Sequence, residues 1–283
     1  MLGVHAATGP QIEYCRQNCL NQKNEFQVPQ FSCEEFAVPH HKYVVLIPVL
    51  NEGERIRNQL DRMKPLVDLV DICVVDGGSV DNALSKDFLV DHGVVAFLIK
   101  LDPGGLSSQL RIGLWWALQK EYQGIVLIDG NNKDNPEQIP DFLKALDEGY
   151  DHVQGSRFIP GGVHENTPWI RLLALRCLHA PLIRWASGFP YTDTTNGFRA
   201  YSRKFLMDPG VLPFRDEFKF YELHYYLSIR APRLNFRVRE IPVERRYPRS
   251  EKTPTKIAGI RAYWRVLTTL IGACAGQYNP RTN

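Results

Sequence analysis

The stretch IVLIDGNNKDNPE, residues 125–137, combines the features that decide the fold. Its first four residues are apolar and three of them are β-branched, which predicts a buried strand with Asp129 directly at its end. A polar loop follows, and Pro136 stands where the first turn of a helix would begin. The stretch therefore predicts a strand, a loop and a helix in succession, which is the repeating unit of an α/β sheet.

The same unit recurs three times upstream. Apolar runs at 43–49, 72–75 and 94–99 predict strands, and helical patterns follow them, over 81–91 and 107–120 in the second and third units. Four short strand–helix units predict a doubly wound, mostly parallel α/β sheet. Ligands of such sheets bind beyond the carboxyl ends of the strands. The residues found there are Asn51, Glu52, Asp76, Ser79 and Asp129.

The composition is that of an ordinary globular protein, with 44% apolar and 23% charged residues among 283. A net charge of +3 is too small to indicate a nucleic-acid partner, and none is expected. The positive charge gathers in residues 230–256, which hold nine Lys or Arg against three Glu. Such a segment suits a phosphate-bearing ligand or an anionic membrane surface, and its alternative is a solvated face.

Six cysteines are scattered along the chain and form no disulfide framework. Three of them lie near two histidines, in a spacing that matches no zinc template. Residues 1–42 contain no continuous apolar run, so no signal peptide is expected. We therefore expect reduced thiols and a cytoplasmic location. The cysteines and histidines weighed as a metal site are Cys15, Cys19, Cys33, His40 and His41.

Two apolar helices are predicted outside the repeating units. They cover 167–187 and 257–276, and arginines interrupt both of them, so neither is expected to span a bilayer. Each suits an interfacial position, a core position or a contact in a homo-oligomer. We expect residues 1–42 to form an N-terminal extension and residues 257–283 an amphipathic helix with a tail.

Further motifs follow the strand ends in a fixed order. Together they resemble glycosyltransferase family 2, and within it the branch of dolichyl-phosphate and polyprenyl-phosphate sugar synthases. The resemblance covers most of the chain, from about Tyr43 to about Lys256. The motifs that carry it are Pro48-Val49-Leu50-Asn51-Glu52, Val74-Val75-Asp76-Gly77-Gly78-Ser79, Asp129-Gly130-Asn131, Pro136-Glu137, Gly155-Ser156-Arg157, Gly197-Phe198-Arg199 and Glu240-Ile241-Pro242.

The resemblance implies a GT-A fold over residues 43–256. Residues 43–150 would bind a nucleoside diphosphate sugar, and residues 151–256 would form an irregular acceptor-side half. The strand-end residues would hold the base and ribose, and a glycine-rich third loop with a downstream arginine would lie near the donor. The donor-binding residues expected in this way are Pro48, Asn51, Glu52, Asp76, Ser79, Gly104, Gly105, Arg111, Asp129 and Lys133.

The metal motif departs from the family pattern. The family holds Mg²⁺ or Mn²⁺ with Asp-x-Asp, whereas this chain has Asp129 followed by the amide Asn131. Lys133 stands where the branch has a Gln that faces the metal, and the Lys of the third loop is absent. We expect Asp129 and Asn131 to bind the cation. The alternative is that the Lys133 ammonium neutralises the diphosphate and partly replaces the metal.

The expected catalytic residues are Arg157, Arg199, Asp193 and Glu222. The two arginines are predicted to clamp phosphate, and the alternative is that each pairs with a core carboxylate. Asp193 would be the general base for a hydroxyl acceptor, with Glu222 as second candidate. A lipid phosphate is already an anion and needs no base. The basic residues from Arg245 to Lys256 would close over the acceptor or the diphosphate.

These expectations describe an inverting glycosyltransferase that uses a nucleoside diphosphate sugar. The preferred acceptor is a polyprenyl phosphate at the membrane surface, with the protein peripheral at its cytoplasmic face. A saccharide or another soluble hydroxyl is the alternative acceptor, and a sugar-nucleotide binding protein without turnover is the alternative from another class. The sequence contains no P-loop and no dinucleotide-binding glycine motif, which argues against kinases and dehydrogenases.

Overall fold

The computed structural model describes residues 26–247 and 260–280. The strands are β1 (Phe31–Glu35), β2 (Tyr43–Val49), β3 (Asp71–Asp76), β4 (Val94–Lys100), β5 (Gly124–Leu127), β6 (His152–Ser156), β7 (Val163–Glu165), β8 (Arg199–Ser202), β9 (Val238–Pro242) and β10 (Glu244–Arg246). The α-helices are α1 (Glu54–Met63), α2 (Lys86–Asp91), α3 (Leu106–Gln119), α4 (Ile139–Asp147), α5 (Trp169–Ala174), α6 (Ala180–Ser187), α7 (Arg203–Leu206), α8 (Glu222–Arg233) and α9 (Ile260–Cys274).

Eight strands form the main sheet in the order β1-β4-β3-β2-β5-β8-β6-β9. Strands β4, β3, β2 and β5 run parallel to one another, and β9 is parallel to β6. Strand β8 is antiparallel to both β5 and β6, so it joins the two parallel groups. The predicted doubly wound, mostly parallel sheet is confirmed. Strands β7 and β10 form a separate parallel pair.

Alternate residues of β2 belong to two separate cores. Val44 and Leu46 pack on one face of the sheet together with residues of α3. Val45 and Ile47 pack on the opposite face together with residues of α1 and α4. Strands that are buried on both faces are continuous apolar runs rather than alternating ones. This is why the sequence predicts the central strands closely.

The helix predicted over 81–91 begins later, at Lys86. Ser85 caps it, because its Oγ accepts a hydrogen bond from the Phe88 backbone N–H at 3.3 Å. Asp81 serves a different purpose: its carboxylate accepts a hydrogen bond from the Gly53 backbone N–H at 2.8 Å. The polar residues before Ser85 therefore connect two loops and do not belong to the helix.

Residues 26–42 are more closely integrated than the predicted extension suggests. Strand β1 pairs antiparallel with β4 and becomes the edge of the main sheet, which the sequence analysis did not anticipate. Phe31 of this strand packs edge-on against Trp115 of α3, with ring centroids 6.0 Å apart. The cysteine and histidine set weighed as a metal site includes Cys15 and Cys19, which lie outside the described residues.

The helix predicted over 167–187 is present but not uniform. Helix α5 passes into a π-helical segment, Leu175–His179, and continues as α6. Pro181, at the start of α6, lacks the N–H that a regular α-helical bond would need. The C-terminal helix predicted over 257–276 is observed as α9. Within the described part of the chain, no helix is long and apolar enough to cross a membrane.

Candidate active site

The loops after β2 and β3 are joined into one rim. The Asn51 backbone N–H donates to Ser79 Oγ at 2.9 Å, and Asn51 Oδ1 accepts from the Val80 N–H at 2.8 Å. Asp76 Oδ1 accepts from Ser79 twice, from its N–H at 2.8 Å and from its hydroxyl at 2.7 Å. Three predicted donor-binding residues, Asn51, Asp76 and Ser79, are therefore brought together.

The side chain of Gln109, in α3, connects the ends of the same two strands, β2 and β3. Its Nε2 donates to the Val49 carbonyl at 2.8 Å and to the Val75 carbonyl at 3.1 Å. A Cβ on Gly77 would lie only 2.9 Å from Gln109 Nε2, so a larger residue there would displace the Gln109 amide. The sequence analysis did not single out Gln109. The available signal was a polar side chain within the predicted helix 107–120.

The end of β2 also contacts the loop that contains Asp129. The Gly130 N–H donates to the Pro48 carbonyl at 3.3 Å, and a Cβ on Gly130 would lie 2.5 Å from Val49 Cγ1. Glu52, in the loop after β2, accepts a hydrogen bond from Arg55 at 3.0 Å, and its side chain is 10% exposed. The predicted donor residues at the ends of β2 and β5 thus share one edge of the sheet.

Asp129 lies in a cluster of opposite charges. Its Oδ2 is 3.1 Å from Nη2 of Arg245, whose other nitrogen, Nη1, contacts the buried carboxylate of Asp134. Burial alone would lower the pKa of Arg245, but Asp134 and Asp129 raise it well above its usual range. The guanidinium therefore remains charged. Gly197 lies directly against this cluster: a Cβ at position 197 would be only 2.5 Å from Asp129 Oδ1.

Lys133 belongs to the same cluster. Its Nζ lies 5.1 Å from the ring centroid of Tyr247, and its carbonyl accepts a hydrogen bond from the Arg246 N–H at 2.8 Å. Burial, followed by the positive charge of Arg245, lowers the pKa of Lys133. The sequence analysis placed Lys133 near the donor diphosphate and Arg245 in a closing loop. The structure places both beside Asp129; Arg249, Lys252 and Lys256 lie outside the described residues.

The two residues predicted to hold a divalent cation lie side by side, with Asn131 Nδ2 3.3 Å from Asp129 Oδ2. In residues 26–247 and 260–280, no group of three His, Cys, Asp or Glu side chains is placed to hold a metal. Mg²⁺ commonly binds one or two carboxylates together with substrate phosphates. The carboxylate and amide present here fit a cation that is shared with a diphosphate, and do not fit one held by the protein alone.

Arg157 and Asp193 form a buried two-point ion pair. Arg157 Nε lies 2.6 Å from Asp193 Oδ2, and Arg157 Nη2 lies 3.0 Å from Asp193 Oδ1. Burial would raise the pKa of Asp193, but Arg157 lowers it below its usual range. This is the core ion pair that was the alternative reading of Arg157. The geometry argues against both predicted roles, phosphate clamp for Arg157 and general base for Asp193, unless the pair opens.

Glu240 fixes the loop that carries Asp193. Its carboxylate accepts hydrogen bonds from the Thr192 N–H at 2.8 and 2.9 Å, from the Thr192 hydroxyl at 2.7 Å and from the Asp193 N–H at 3.0 Å. On the other side of the loop, His179 Nδ1 lies 2.7 Å from Thr194 Oγ1. The motif Glu240-Ile241-Pro242 entered the sequence analysis only as a family marker, and the structure gives its carboxylate a positioning role.

Arg199 joins neighbouring segments inside the protein through hydrogen bonds. Its side chain is 1% exposed, and it donates to the carbonyls of Asn196 (2.8 Å), Thr194 (2.9 Å) and His224 (3.0 Å) and to Ser228 Oγ (2.9 Å). All three guanidinium nitrogens therefore have partners inside the protein. This arrangement gives no support to the predicted contact with a donor phosphate, which stays a prediction.

Two further predicted site residues, Glu222 and Arg111, lie at a different loop. Glu222, the first residue of α8, accepts hydrogen bonds from the backbone N–H groups of Lys219 and Phe220 and so holds the loop before the helix. Arg111 is buried and contacts the Gln27 carbonyl and Asp216 instead of the strand-end rim. Because each of these side chains stabilises a connection between segments, the predicted catalytic and donor-binding roles lack support from the geometry.

The glycine-rich third loop packs against the same segment. The Gly105 N–H donates to the Lys219 carbonyl at 2.8 Å, and a Cβ on Gly105 would lie 2.9 Å from Phe220 Cδ1. Gly104 has a φ of +134°, a conformation that side chains rarely adopt. The two glycines thus allow close contact between loops, and their predicted role at the donor stays a prediction.

Solved structures of glucosyl-3-phosphoglycerate synthase from Mycobacterium tuberculosis have a similar fold. One of them, in complex with Mn²⁺, UDP and glucosyl-3-phosphoglycerate, gives a TM-score of 0.57 at 21% identity and covers 85% of this chain and 81% of its own. At this level of identity, the likeness establishes the fold. The sheet and its strand-end rim are those of the GT-A fold.

The chain belongs to Glycosyl transferase family 2, whose sequence profile matches residues 44–210. Polyprenol monophosphomannose synthase from Mycolicibacterium smegmatis is 32% identical over 210 residues, which are 72% of this chain and 77% of the relative. Undecaprenyl-phosphate mannosyltransferase from Micrococcus luteus is 29% identical over 214 residues, which are 71% of this chain and 82% of the relative. The predicted family, fold class and enzyme class are confirmed.

Proposed function

We propose that the protein transfers a hexosyl group from a nucleoside diphosphate sugar to the phosphate of a polyprenyl phosphate, with inversion at the anomeric carbon. The two relatives described above are named for polyprenyl-phosphate mannosyl transfer, which supports this acceptor class. The observation that carries the proposal is the buried Arg157–Asp193 pair. A hydroxyl acceptor requires a base, whereas a phosphate acceptor is already an anion.

The donor would bind along the strand-end rim. Asn51, Asp76 and Ser79 form its polar part, where carboxylate and amide groups suit a nucleoside base and ribose. The diphosphate would then reach Asp129, Lys133 and Arg245 at the end of β5. In this arrangement residues 43–150 provide most of the donor site, and Arg245 adds a positive charge to it from the acceptor-side half, residues 151–256.

Positive charge near Asp129 would stabilise the leaving group. In the transfer, an acceptor phosphate oxygen attacks the anomeric carbon, the bond from that carbon to the diphosphate oxygen breaks, and the nucleoside diphosphate leaves with the electron pair. Lys133 and Arg245 are held by the protein before the reaction, so their charges need little reorganisation as negative charge develops.

A divalent cation fits the same place. Asp129 and Asn131 would hold Mg²⁺ or Mn²⁺ jointly with the diphosphate, and the cation would neutralise charge on the leaving group. The solved structure from Mycobacterium tuberculosis contains Mn²⁺ and UDP, which supports this cofactor class. Lys133, which stands where the family branch has Gln, would supply part of the same charge.

Incubation with a nucleotide sugar labelled in its hexose tests the proposal. With a short polyprenyl phosphate as acceptor, we expect labelled product in the organic phase. With 3-phosphoglycerate or a saccharide as acceptor, we expect no transfer. Label that appears only as free sugar contradicts lipid-phosphate transfer. Donor binding without turnover, for every nucleotide sugar and acceptor, favours a binding protein instead.

A further inference from the structure

A line of exposed apolar side chains runs along α5, the π-helical segment and α6. Its members are Trp169 (71% exposed), Leu173 (54%), Leu178 (43%) and Trp185 (73%), and we call it the tryptophan stripe. The steps of four and seven residues keep one face of an α-helix. The step of five, from Leu173 to Leu178, leads into the π-helical segment, where backbone hydrogen bonds join residues five apart instead of four. The helix irregularity therefore keeps the stripe on one side.

The charged residues within these helices have a single sign. Residues 169–187 contain three arginines and no Asp or Glu. Helix α9 contains two arginines and again no acidic residue, and it exposes Trp264 (67%) and Ile271 (51%). Helices α6 and α9 share a core with α8 through residues such as Ile183 and Leu270. The two exposed apolar faces thus belong to neighbouring helices of one layer.

The opposite side of these helices contacts the candidate active site. His179, in the π-helical segment, is hydrogen-bonded to Thr194 in the loop that carries Asp193. The guanidinium of Arg176 lies 5.1 Å from the ring centroid of Phe158, the residue that follows Arg157. A helix is about 10 Å across, so the stripe and the Asp193 loop are separated by one helix.

We propose that the tryptophan stripe is the face by which this protein docks on an anionic lipid bilayer. Tryptophans lie at the level of the lipid headgroups, and the net positive charge of these helices attracts an anionic surface. Leu173 and Leu178 enter the boundary of the acyl chains, as in interfacial amphipathic helices. The inference rests on the proposed function, because an acceptor phosphate at the bilayer surface would then lie beside the Asp193 loop.

Vesicle sedimentation tests the docking face directly. The full chain is mixed with vesicles of phosphatidylglycerol and phosphatidylcholine in equal parts, and with vesicles of phosphatidylcholine alone. We expect binding to the anionic vesicles, and a loss of about tenfold or more in the double variant Trp169→Ala/Trp185→Ala. The control is Val38→Ala/Leu101→Ala, which removes exposed apolar side chains elsewhere and leaves binding unchanged.

Two outcomes overturn the docking proposal. The tryptophan double variant binds anionic vesicles as tightly as the unaltered protein, or the unaltered protein is a dimer that the double variant converts to a monomer. The second outcome assigns the stripe to self-association, and sedimentation equilibrium detects it.

An activity comparison separates this proposal from the proposed function. In the double variant, transfer to a short, water-soluble polyprenyl phosphate should be unchanged, while transfer to a long-chain acceptor in vesicles should fall about tenfold or more. Equal long-chain activity in both proteins contradicts docking through the stripe. If the unaltered protein transfers sugar to neither acceptor but binds vesicles through the stripe, the proposed function fails and the docking face stands.

Discussion

At the scale of single residues, ion pairs decide what the arginines can do. Arg157 pairs with Asp193 inside the protein, and Arg245 bridges Asp129 and Asp134. Arg199 donates its hydrogen bonds mainly to backbone carbonyls. Of these three, Arg245 has a partly exposed partner, since the Asp129 side chain is 26% exposed. In the proposed donor site, the charge nearest to the diphosphate would therefore come from Arg245 and Lys133.

The Arg157–Asp193 pair should be essential for stability. In Asp193→Asn, the buried guanidinium loses its counter-charge, and we expect the free energy of unfolding to fall by about 3–5 kcal/mol. Urea denaturation measures this loss. The double variant Arg157→Met/Asp193→Leu removes both charges, so it should recover much of the stability. An Asp193→Asn protein that is as stable as the unaltered chain, but loses the acidic limb of its pH–rate profile, would show that Asp193 is a base.

One added carboxylate should strengthen cation binding at the proposed metal site. In Asn131→Asp, a second acidic ligand joins Asp129, and we expect tighter binding of Mn²⁺ in the presence of a nucleoside diphosphate, by about tenfold. Calorimetric titration of Mn²⁺ measures this without reference to activity. Chelation of the unaltered protein should abolish transfer, and added Mn²⁺ should restore it. Activity that survives exhaustive chelation unchanged assigns the neutralising charge to Lys133 and Arg245.

Among the secondary-structure elements, the edge strand β1 shows what residues 26–42 contribute to the sheet. It covers the edge of β4, and an uncovered edge invites pairing with another chain. Glu35, at its end, accepts hydrogen bonds from Trp116 Nε1 at 3.0 Å and from Lys120 at 2.8 Å. The strand thus attaches to α3 through a side chain as well as through the sheet.

Glu35→Ala should weaken this attachment. The indole N–H of Trp116, a residue that is 3% exposed, would lose its partner, and we expect a destabilisation of about 1–3 kcal/mol. Urea denaturation followed by tryptophan fluorescence measures the change. Glu34→Ala is the matched control, because Glu34 is an exposed neighbour on the same strand. Equal loss of stability in the two variants would contradict a specific role for Glu35.

The elements also show what a sequence can and cannot predict. Strand β2 is buried on both faces, so its seven residues form one apolar run that marks its position directly. Helix α2 starts late because Asp81 contacts Gly53, a partner in another loop. The pairing of Arg157 with Asp193 spans 36 positions, and that of Arg245 with Asp129 spans 116. Such partners depend on how the strands are ordered, which no local pattern contains.

At the scale of the whole molecule, three buried histidines link stability to pH. Burial, followed by the charge of Arg199, lowers the pKa of His152, His179 and His224, that of His179 to about 4. In the unfolded chain a histidine titrates near 6.5. Between these values the unfolded state takes up protons that the folded state does not. Stability is therefore fully present above about pH 6.5 and is lost as the pH falls toward about 4.

At about pH 5, each of these neutral buried histidines should lower the free energy of unfolding by up to about 2 kcal/mol relative to its value at about pH 7.5. Glu240 acts in the opposite direction, because burial raises its pKa, so the total loss is smaller than the sum. Urea denaturation at about pH 7.5 and about pH 5 measures the difference. His152→Gln should reduce the loss by up to about 2 kcal/mol. Equal stability at both pH values would contradict the assignment of neutral buried histidines.

The central claim is that the acceptor atom is a phosphate oxygen of a polyprenyl lipid. The most direct measurement is nuclear magnetic resonance of the product purified after incubation with a nucleotide sugar and a polyprenyl phosphate. We expect a phosphorus signal of a phosphodiester that couples to the anomeric proton, with the anomeric configuration opposite to that of the donor. An unchanged phosphomonoester signal, together with sugar attached to a hydroxyl or released into water, would contradict it.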